Sequence, residues 1–136
     1  MYPPELVKPM IEDLTSVGFQ ELKTIEAVDK AIKKNGTMLV MVNSVCGCAA
    51  GMARPAVKES LKNNKKPDYL VTVFAGVDKE ATQKMREYMF PFPPSSPSIA
   101  LFKDGELVHM LERHHIEGRP AEIIADNLKE AYDEFC

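Results

Sequence analysis

Two cysteines separated by a single glycine, Cys46-Gly47-Cys48, are the residues of this chain with the clearest chemical potential. They follow an apolar stretch, residues 38–42, and precede a helix-compatible segment, which indicates a strand-to-helix junction. Free N–H groups and a partial positive charge at a helix N-terminus stabilise a thiolate and lower its pKa below about 8.5. Gly47 lacks a Cβ and allows a tight turn between the sulfurs. The spacing therefore predicts a redox-active pair of thiols.

Cysteine number and charge narrow the class of protein. The 136 residues include three cysteines, two of them nearly adjacent, so we expect a reducing intracellular setting rather than a secreted disulfide framework. The 17 basic and 20 acidic residues are interspersed and give a formal net charge of −3, so nucleic acid is not expected as a partner. No secretory signal and no apolar run of membrane-spanning length is evident, so no membrane association is expected.

The elements that position the thiols follow from the hydrophobic pattern. Residues 37–43 form an apolar run too short for a helix, which predicts a strand buried on both faces. The segment 49–62 is helix-compatible, with Pro55 either kinking this helix or marking the first turn of its regular part. The other predicted elements are a helix over 4–17 with Leu6, Met10, Leu14 and Val17 on its apolar face, a brief strand within 19–23, a helix capped by Thr24, a strand over 69–75, a helix from Asp78 to Met89, strands over 99–102 and 107–111, and a last helix after Pro120 packed through Ile123, Ile124, Leu128, Ala131 and Tyr132.

The order of these elements predicts an α/β fold. Alternating strands and helices imply parallel neighbours, and Asp104-Gly105 between two apolar runs signals a hairpin that adds two strands. We expect a single thioredoxin-like domain over residues 1–136, with a central mixed five-stranded sheet, helices on both faces and an extra N-terminal helical extension over 1–18. A cis proline faces the active thiols of that fold, and Pro97 is the candidate here.

Three separate segments of the chain resemble the bacilliredoxin family, formerly a domain of unknown function. They are Cys46-Gly47-Cys48-Ala49 after Asn43-Ser44, the Met-Tyr-Pro start, and the loop Phe92-Pro93-Pro94-Ser95-Ser96-Pro97-Ser98. The resemblance covers essentially the full length. It implies a cytoplasmic protein that acts on mixed disulfides between protein cysteines and the low-molecular-weight thiol bacillithiol.

The resemblance also implies roles for single residues. Cys46 matches the attacking cysteine and Cys48 the second cysteine of the motif, while Asn43 matches a polar position that helps to tune the site. Ser96 and Pro97 match the loop that faces the substrate.

Two features of this motif set it apart from ordinary thioredoxins. Their proton acceptor is an acidic residue on the strand beneath the thiols, whereas residues 37–43 contain no carboxylate, so deprotonation of Cys48 is expected to need water bound by Asn43 or another group. Alternate side chains of a regular helix point apart, so a bridge from Cys46 to Cys48 requires a local turn. Such a small ring is expected to be strained and easily reduced.

The leading hypothesis is an enzyme that reduces bacillithiol mixed disulfides on client proteins, with bacillithiol as a co-substrate and no bound cofactor. A disulfide isomerase or a general thiol-disulfide oxidoreductase would use the same thiols. A hypothesis of another class is a non-catalytic binding module that carries zinc through Cys46, Cys48 and a histidine. Paired cysteines of structural zinc sites usually stand at least two residues apart, so no metal is expected.

Three further features receive structural interpretations. Cys136, the final residue, is expected to be an exposed thiol without an assigned role, although a resolving thiol on the tail stays an alternative. Arg54 is expected to be a surface charge, with a partner of the Cys46 thiolate as the alternative. The segment 112–115, Glu-Arg-His-His, is expected to be the solvated end of a hairpin.

Overall fold

A computed structural model describes residues 2–136 as a five-stranded sheet flanked by helices. A π-helical turn, Ala49–Ala53, leads directly into the third helix. The strands are β1 (Gln20–Glu21), β2 (Thr37–Asn43), β3 (Tyr69–Phe74), β4 (Ser98–Lys103) and β5 (Glu106–Leu111), and the helices are α1 (Pro4–Thr15), α2 (Ile25–Ile32), α3 (Arg54–Ser60), α4 (Lys79–Tyr88), α5 (Arg113–Ile116) and α6 (Ala121–Phe135).

The sheet is mixed, as predicted, with the strand order β1-β3-β2-β4-β5. β3 pairs in parallel with β1 and β2, and β4 lies antiparallel to both β2 and β5. The register places Asn43 opposite Phe74, where both strands end, and Val42 opposite Ser98, where β4 begins. The segments that follow Asn43 and precede Ser98 therefore meet at one edge of the sheet, and these are the segments with the thiols and with Pro97.

The central strand separates two apolar layers. All seven residues of β2 are buried, in agreement with the prediction of a strand covered on both faces. Because successive side chains of a strand point to opposite faces, Leu39 and Met41 pack with α3 and α6, while Val40 and Val42 pack with α2 and α4. β2 is therefore packed on both faces, and the turn that contains Cys46 follows its last residue, Asn43.

Several local predictions are confirmed. The Thr24 hydroxyl oxygen accepts a hydrogen bond from the Ala27 N–H at 3.1 Å and caps α2. Asp104 and Gly105 have φ values of 51° and 82°, as a two-residue hairpin turn of type I′ requires. Pro55 lies in the first turn of α3, which is the second of its two predicted roles. Over residues 2–136, none of the helices combines the length and apolar character needed to cross a membrane.

Three predicted packing residues on the outer helices are wrong. Leu6 and Val17 of the N-terminal segment are exposed, because α1 buries Val7 beside Leu6 and ends at Thr15, before Val17. Ile123 is also exposed, since it lies beside the stripe that α6 buries. Burial of Leu14, Ile124, Leu128, Ala131 and Tyr132 is confirmed, and Val7 on α1 and Ala125 on α6 are buried in addition.

Candidate redox site

The two thiols of the Cys-Gly-Cys motif face each other where the helix begins. The Cys46 carbonyl accepts hydrogen bonds from the N–H groups of Ala49 at 3.1 Å and Ala50 at 3.2 Å, so Cys46 is the last residue before the helical turns. Cys46 is half-buried, whereas Cys48 is only 7% exposed. Their Sγ atoms are 3.0 Å apart. The non-helical backbone at Cys46 makes this approach possible, and it is the local turn that the sequence requires.

Hydrogen bonding makes the two thiols unequal. Partial burial acts to raise the pKa of Cys46, but hydrogen bonds from the Cys48 thiol, the Ser44 hydroxyl and the N–H groups of Ala49 and Cys48 outweigh it, and the net pKa is lowered. Burial raises the pKa of Cys48, and the hydrogen bond to Cys46 and the Cys46 charge raise it further. Cys46 therefore ionises first, and the thiolate is the nucleophilic form of a cysteine.

The proline-rich loop reaches the same edge of the sheet as the thiols. The Ser96-Pro97 peptide bond is cis, as predicted, and Phe90-Pro91 is a second cis bond that the sequence did not reveal. Since Ser98 pairs with Val42, Pro97 lies level with the end of β2, and its side chain is buried. Ser96 presents its carbonyl to the Arg113 guanidinium at 3.3 Å. The structure thus brings both predicted loop residues to the thiol-bearing edge.

The segment after β5 supplies a carboxylate that the sequence analysis missed. Residues 113–116 form α5 instead of the end of a hairpin, so that prediction is wrong. Glu117 follows α5, and its Oε2 atom lies 3.9 Å from the Cys48 Sγ and 3.0 Å from the Arg113 Nε. The Arg113 charge also opposes the burial that raises the pKa of Cys48. In the structure Glu112 and His115 form a capping box at the start of α5, but Glu-x-x-His differs from the usual Ser/Thr-x-x-Glu signature, so the sequence carried no clear signal of this helix.

Asn43 supports the turn that carries the thiols. Its Oδ1 atom accepts hydrogen bonds from the Ser44 N–H and the Arg54 Nη1, both at 2.9 Å, and its Nδ2 donates to the Met10 carbonyl at 3.1 Å. Among residues 2–136, these hydrogen bonds connect Asn43 to the backbone around the site and to α1, and none of them goes to a thiol.

Arg54 is a buried residue, so its prediction as a surface charge is wrong. It is 5% exposed, donates from Nη1 to the Ser44 carbonyl at 2.9 Å, and places Nε 3.5 Å from a carboxylate oxygen of Asp13. Burial lowers the pKa of Arg54, and the charges of Asp13 and Cys46 oppose this. The π-helical turn before Arg54 shifts the phase of the helix, so an α-helical count from Cys48 does not predict which side it faces.

We expect Arg54→Met to lower the free energy of unfolding by about 2–4 kcal/mol, because Asn43 and Ser44 lose a buried donor and Asp13 loses a partner. Lys58→Met is the matched control, since Lys58 pairs with the same Asp13 at 2.6 Å but its side chain is 37% exposed. The Lys58→Met variant should lose less than about 1 kcal/mol of its free energy of unfolding. Urea unfolding of the reduced proteins measures both values, and equal losses would contradict a special role for Arg54.

Cys136 lies at the far end of the molecule from the motif. It is exposed, as predicted, and its thiol forms a hydrogen bond with Thr37, the first residue of β2. Cys46 lies beyond Asn43, the last residue of the same strand. Six strand steps of about 3.3 Å separate those two ends by roughly 20 Å. Cys136 therefore cannot resolve a disulfide on Cys46 of the same molecule.

The zinc alternative requires a histidine close to both thiols. In the part of the chain that the structure describes, the one group of three potential metal ligands is Glu112, His114 and His115, and it includes neither cysteine. The His115 Nδ1 already accepts the Glu112 N–H at 3.0 Å. The arrangement of donors does not support a zinc site built on Cys46 and Cys48.

Comparison with solved structures identifies the fold. The thioredoxin of Fasciola hepatica superposes with a TM-score of 0.60 at 17% identity, covering 87% of this chain and 100% of that one. The oxidised form of mitochondrial thioredoxin 3 from Saccharomyces cerevisiae gives a TM-score of 0.58 at 18% identity, covering 90% and 98%. At this level of identity the likeness shows the fold alone, and it confirms the predicted thioredoxin-like α/β architecture.

Comparison with related sequences identifies the family. A family model described as disulphide isomerase matches residues 2–136. A bacilliredoxin of Cytophaga hutchinsonii is 62% identical over 135 residues, which are 99% of this chain and 100% of the relative. A bacilliredoxin of Halalkalibacterium halodurans is 56% identical over 99% of this chain and 94% of its own. With its thiol pair at the start of a helix in a thioredoxin fold, the chain belongs to the bacilliredoxin family of oxidoreductases.

Proposed function

We propose that this protein removes bacillithiol from mixed disulfides with client proteins, with Cys46 as the nucleophile and Cys48 as the resolving thiol. The observation that carries the proposal is the unequal pair of sulfurs 3.0 Å apart, one half-buried with a lowered pKa and one buried with a raised pKa. The names of the relatives support bacillithiol as the co-substrate. The chemistry uses only thiols, so it needs no bound cofactor, and the reducing cytoplasm suits it.

In the first step the Cys46 thiolate attacks the bacillithiol sulfur of the mixed disulfide. A bond forms between Cys46 and bacillithiol, and the bond between bacillithiol and the client cysteine breaks. The client cysteine leaves with the bonding electron pair and takes a proton from solvent. Ser96 and Pro97 lie at the same edge of the sheet and offer the backbone surface against which the incoming disulfide rests.

In the second step Cys48 attacks the Sγ of Cys46 and releases bacillithiol as a thiolate. The negative charge of Cys46, which raises the pKa of Cys48 in the free protein, no longer exists once Cys46 is bonded to bacillithiol. Glu117, 3.9 Å away, accepts the proton directly or through a water, and Arg113 favours the new thiolate. The sulfurs then close from 3.0 Å to the bond length of about 2.05 Å. An external dithiol returns two electrons and restores both thiols.

The test presents the reduced protein with a client that carries bacillithiol on a single cysteine. Intact-mass spectrometry should show free client thiol together with bacillithiol on Cys46 or the Cys46–Cys48 disulfide. The same client carrying glutathione is the control, and we expect it to react at least about tenfold more slowly. Polar groups of a site that hydrogen-bond bacillithiol would be left without partners when glutathione binds. Equal rates with the two clients would contradict specificity for bacillithiol and would indicate a general thiol-disulfide oxidoreductase.

A second candidate function, disulfide isomerase, is favoured by the description of the matching family model. Isomerisation needs the same Cys46 thiolate but regenerates it without net oxidation, so Cys48 is not required. A protein with scrambled disulfides therefore separates the two functions. An isomerase would restore native disulfides faster than it releases bacillithiol from a client. The Cys48→Ser variant would also keep its isomerase activity.

A further inference from the structure

A groove of about 640 Å³ lies between one face of α4 and the proline-rich segment after it. The helix contributes Lys79, Thr82 and Arg86, whose spacings of three and four residues place them on one face. Phe90 and Phe92 line the other side. The volume falls within the range of about 300–1,000 Å³ that is typical of sites for small molecules.

Two residues that line this groove each contain a buried polar atom without a hydrogen-bond partner among residues 2–136. The two atoms are the Thr82 hydroxyl oxygen and the Arg86 Nε, and both are shielded from solvent. Thr82 as a whole is 2% exposed. Since buried polar groups nearly always have a partner, the two atoms leave unmet hydrogen-bonding capacity beneath the groove surface.

The charge of the groove is positive. No acidic side chain of residues 2–136 forms an ion pair with Arg86, and burial, the one cause acting on it, lowers the pKa of this guanidinium. Glu87 also lines the groove, but it pairs with Lys84 at 3.4 Å. Lys79 adds a second positive charge. A partly desolvated guanidinium without a counter-ion, with the exposed charge of Lys79 beside it, favours binding of an anion such as a carboxylate.

The groove adjoins the loop that faces the thiols. Arg86 donates from Nη2 to the Ser95 carbonyl at 3.3 Å, and the Ser95 hydroxyl oxygen accepts the Arg113 N–H at 3.3 Å. Ser95 stands two residues before the cis Pro97, a span of at most about 7 Å. A molecule of tripeptide length extends over about 10 Å, which suits one end in the groove and a sulfur toward Cys46.

We propose that this groove binds the carboxylate-bearing end of the low-molecular-weight thiol that Cys46 takes from its clients. The Arg86 guanidinium donates hydrogen bonds to the carboxylate, a rotation of the Thr82 side chain turns its shielded hydroxyl toward the same group, and Lys79 contributes attraction. Phe90, which is 82% exposed, and Phe92 cover the apolar part of the ligand. This assignment rests on the proposed function, since it names the binding site of the same co-substrate.

The test measures binding of S-methyl bacillithiol and S-methyl glutathione to the reduced full-length protein by calorimetry. The capped sulfurs cannot exchange with Cys46, so the assay reports binding alone. Arg86→Gln should weaken the Kd for S-methyl bacillithiol at least about tenfold, and Thr82→Val about three- to tenfold, the range expected for lost hydrogen bonds to a charged group. Lys30→Gln removes an equal charge from an exposed position on α2, outside the groove, and should leave the Kd within about twofold.

The second probe identifies the feature that is recognised. Weaker binding of S-methyl glutathione supports a groove shaped for bacillithiol, and equal binding with the same dependence on Arg86 supports recognition of the carboxylate common to both. Unchanged affinity in both Arg86→Gln and Thr82→Val, or no binding of either probe by the wild type, would overturn the assignment. Urea unfolding of each variant verifies that it is folded, and Thr82→Val should lose no stability because its hydroxyl has no protein partner.

Turnover of a bacillithiolated client separates this proposal from the proposed function. Arg86→Gln should raise the KM at least about fivefold and keep most of the kcat, because the residue binds the ligand without touching the reacting sulfurs. A wild type that binds S-methyl bacillithiol through Arg86 but frees no client thiol would refute the function and keep the site. Release of client thiol with an unchanged KM in Arg86→Gln would refute the site and keep the function.

Discussion

Cys46→Ser should abolish the release of client thiol from a bacillithiolated protein, with a rate loss of at least about 10⁴. A serine hydroxyl does not ionise at neutral pH, so the variant has no nucleophile for the first step. Cys48→Ser should instead consume one equivalent of substrate and stop with bacillithiol on Cys46, because the first step needs only the Cys46 thiolate. Intact-mass spectrometry of protein and client, quenched at intervals, distinguishes the two. Full activity of Cys46→Ser would reverse the two roles.

Glu117→Gln should affect only the second step of the same experiment. The first step should proceed as in the wild type, while conversion of the Cys46 adduct into the internal disulfide slows about tenfold. We expect a smaller loss of rate than for removal of a buried base. Arg113 no longer pairs with a charged Glu117 in the variant, and its positive charge still favours the Cys48 thiolate. Glu122→Gln, an exposed residue of α6, serves as the matched control. An unchanged second step in Glu117→Gln would remove the carboxylate from the mechanism.

The position of the thiols could be predicted because each signal was local. The apolar run over 37–43, the Cys-Gly-Cys motif after it and the Ser96-Pro97 loop each indicate their own structure within a few residues. The element order is that of a thioredoxin-like domain, in which the proline loop faces the thiols, and the antiparallel pairing of β4 with β2 places the start of β4 beside the end of β2. The strand order and the cis bond at Pro97 agree with that inference.

The groups around the thiols could not be predicted because they depend on distant contacts. Cys48 and Glu117 stand 69 residues apart, and nothing in either neighbourhood relates one to the other. The orientation of Arg54 depends on a π-helical turn, which changes the helical phase; Gly51 within the turn and Pro55 after it indicate an irregular helix but not by how much the phase changes. Asn43 illustrates the same limit, since its partners on α1 and α3 are set by how those helices pack.

The Cys46–Cys48 couple should be more oxidising than thioredoxin, with a potential of about −240 mV or less negative against about −270 mV. The hydrogen bonds that lower the pKa of Cys46 stabilise a thiolate, and only the reduced protein has one. A hydrogen bond to a charged group contributes about 1.5–3 kcal/mol, and 30 mV corresponds to about 1.4 kcal/mol. One such bond therefore shifts the potential by about 30–60 mV, and the small ring adds strain in the same direction.

Equilibration in glutathione buffers, followed by alkylation and mass spectrometry, measures the midpoint potential of the Cys46–Cys48 couple. A value as negative as that of thioredoxin would contradict this account.

Ser44→Ala tests whether thiolate hydrogen bonding sets that potential. Ser44 accepts the Cys46 N–H at 3.1 Å, which leaves its hydroxyl proton for the Cys46 sulfur, where it helps to lower the pKa. Without it, the pKa of Cys46 should rise, so alkylation of this thiol should reach half its maximal rate at a higher pH. The midpoint should become more negative by about 30–60 mV, because the reduced state loses one hydrogen bond to the thiolate that the disulfide never had. Ser16→Ala, an exposed serine at the end of α1, should change neither quantity. A pKa that rises without any change in the midpoint would separate the potential from the thiolate and leave ring strain as its cause.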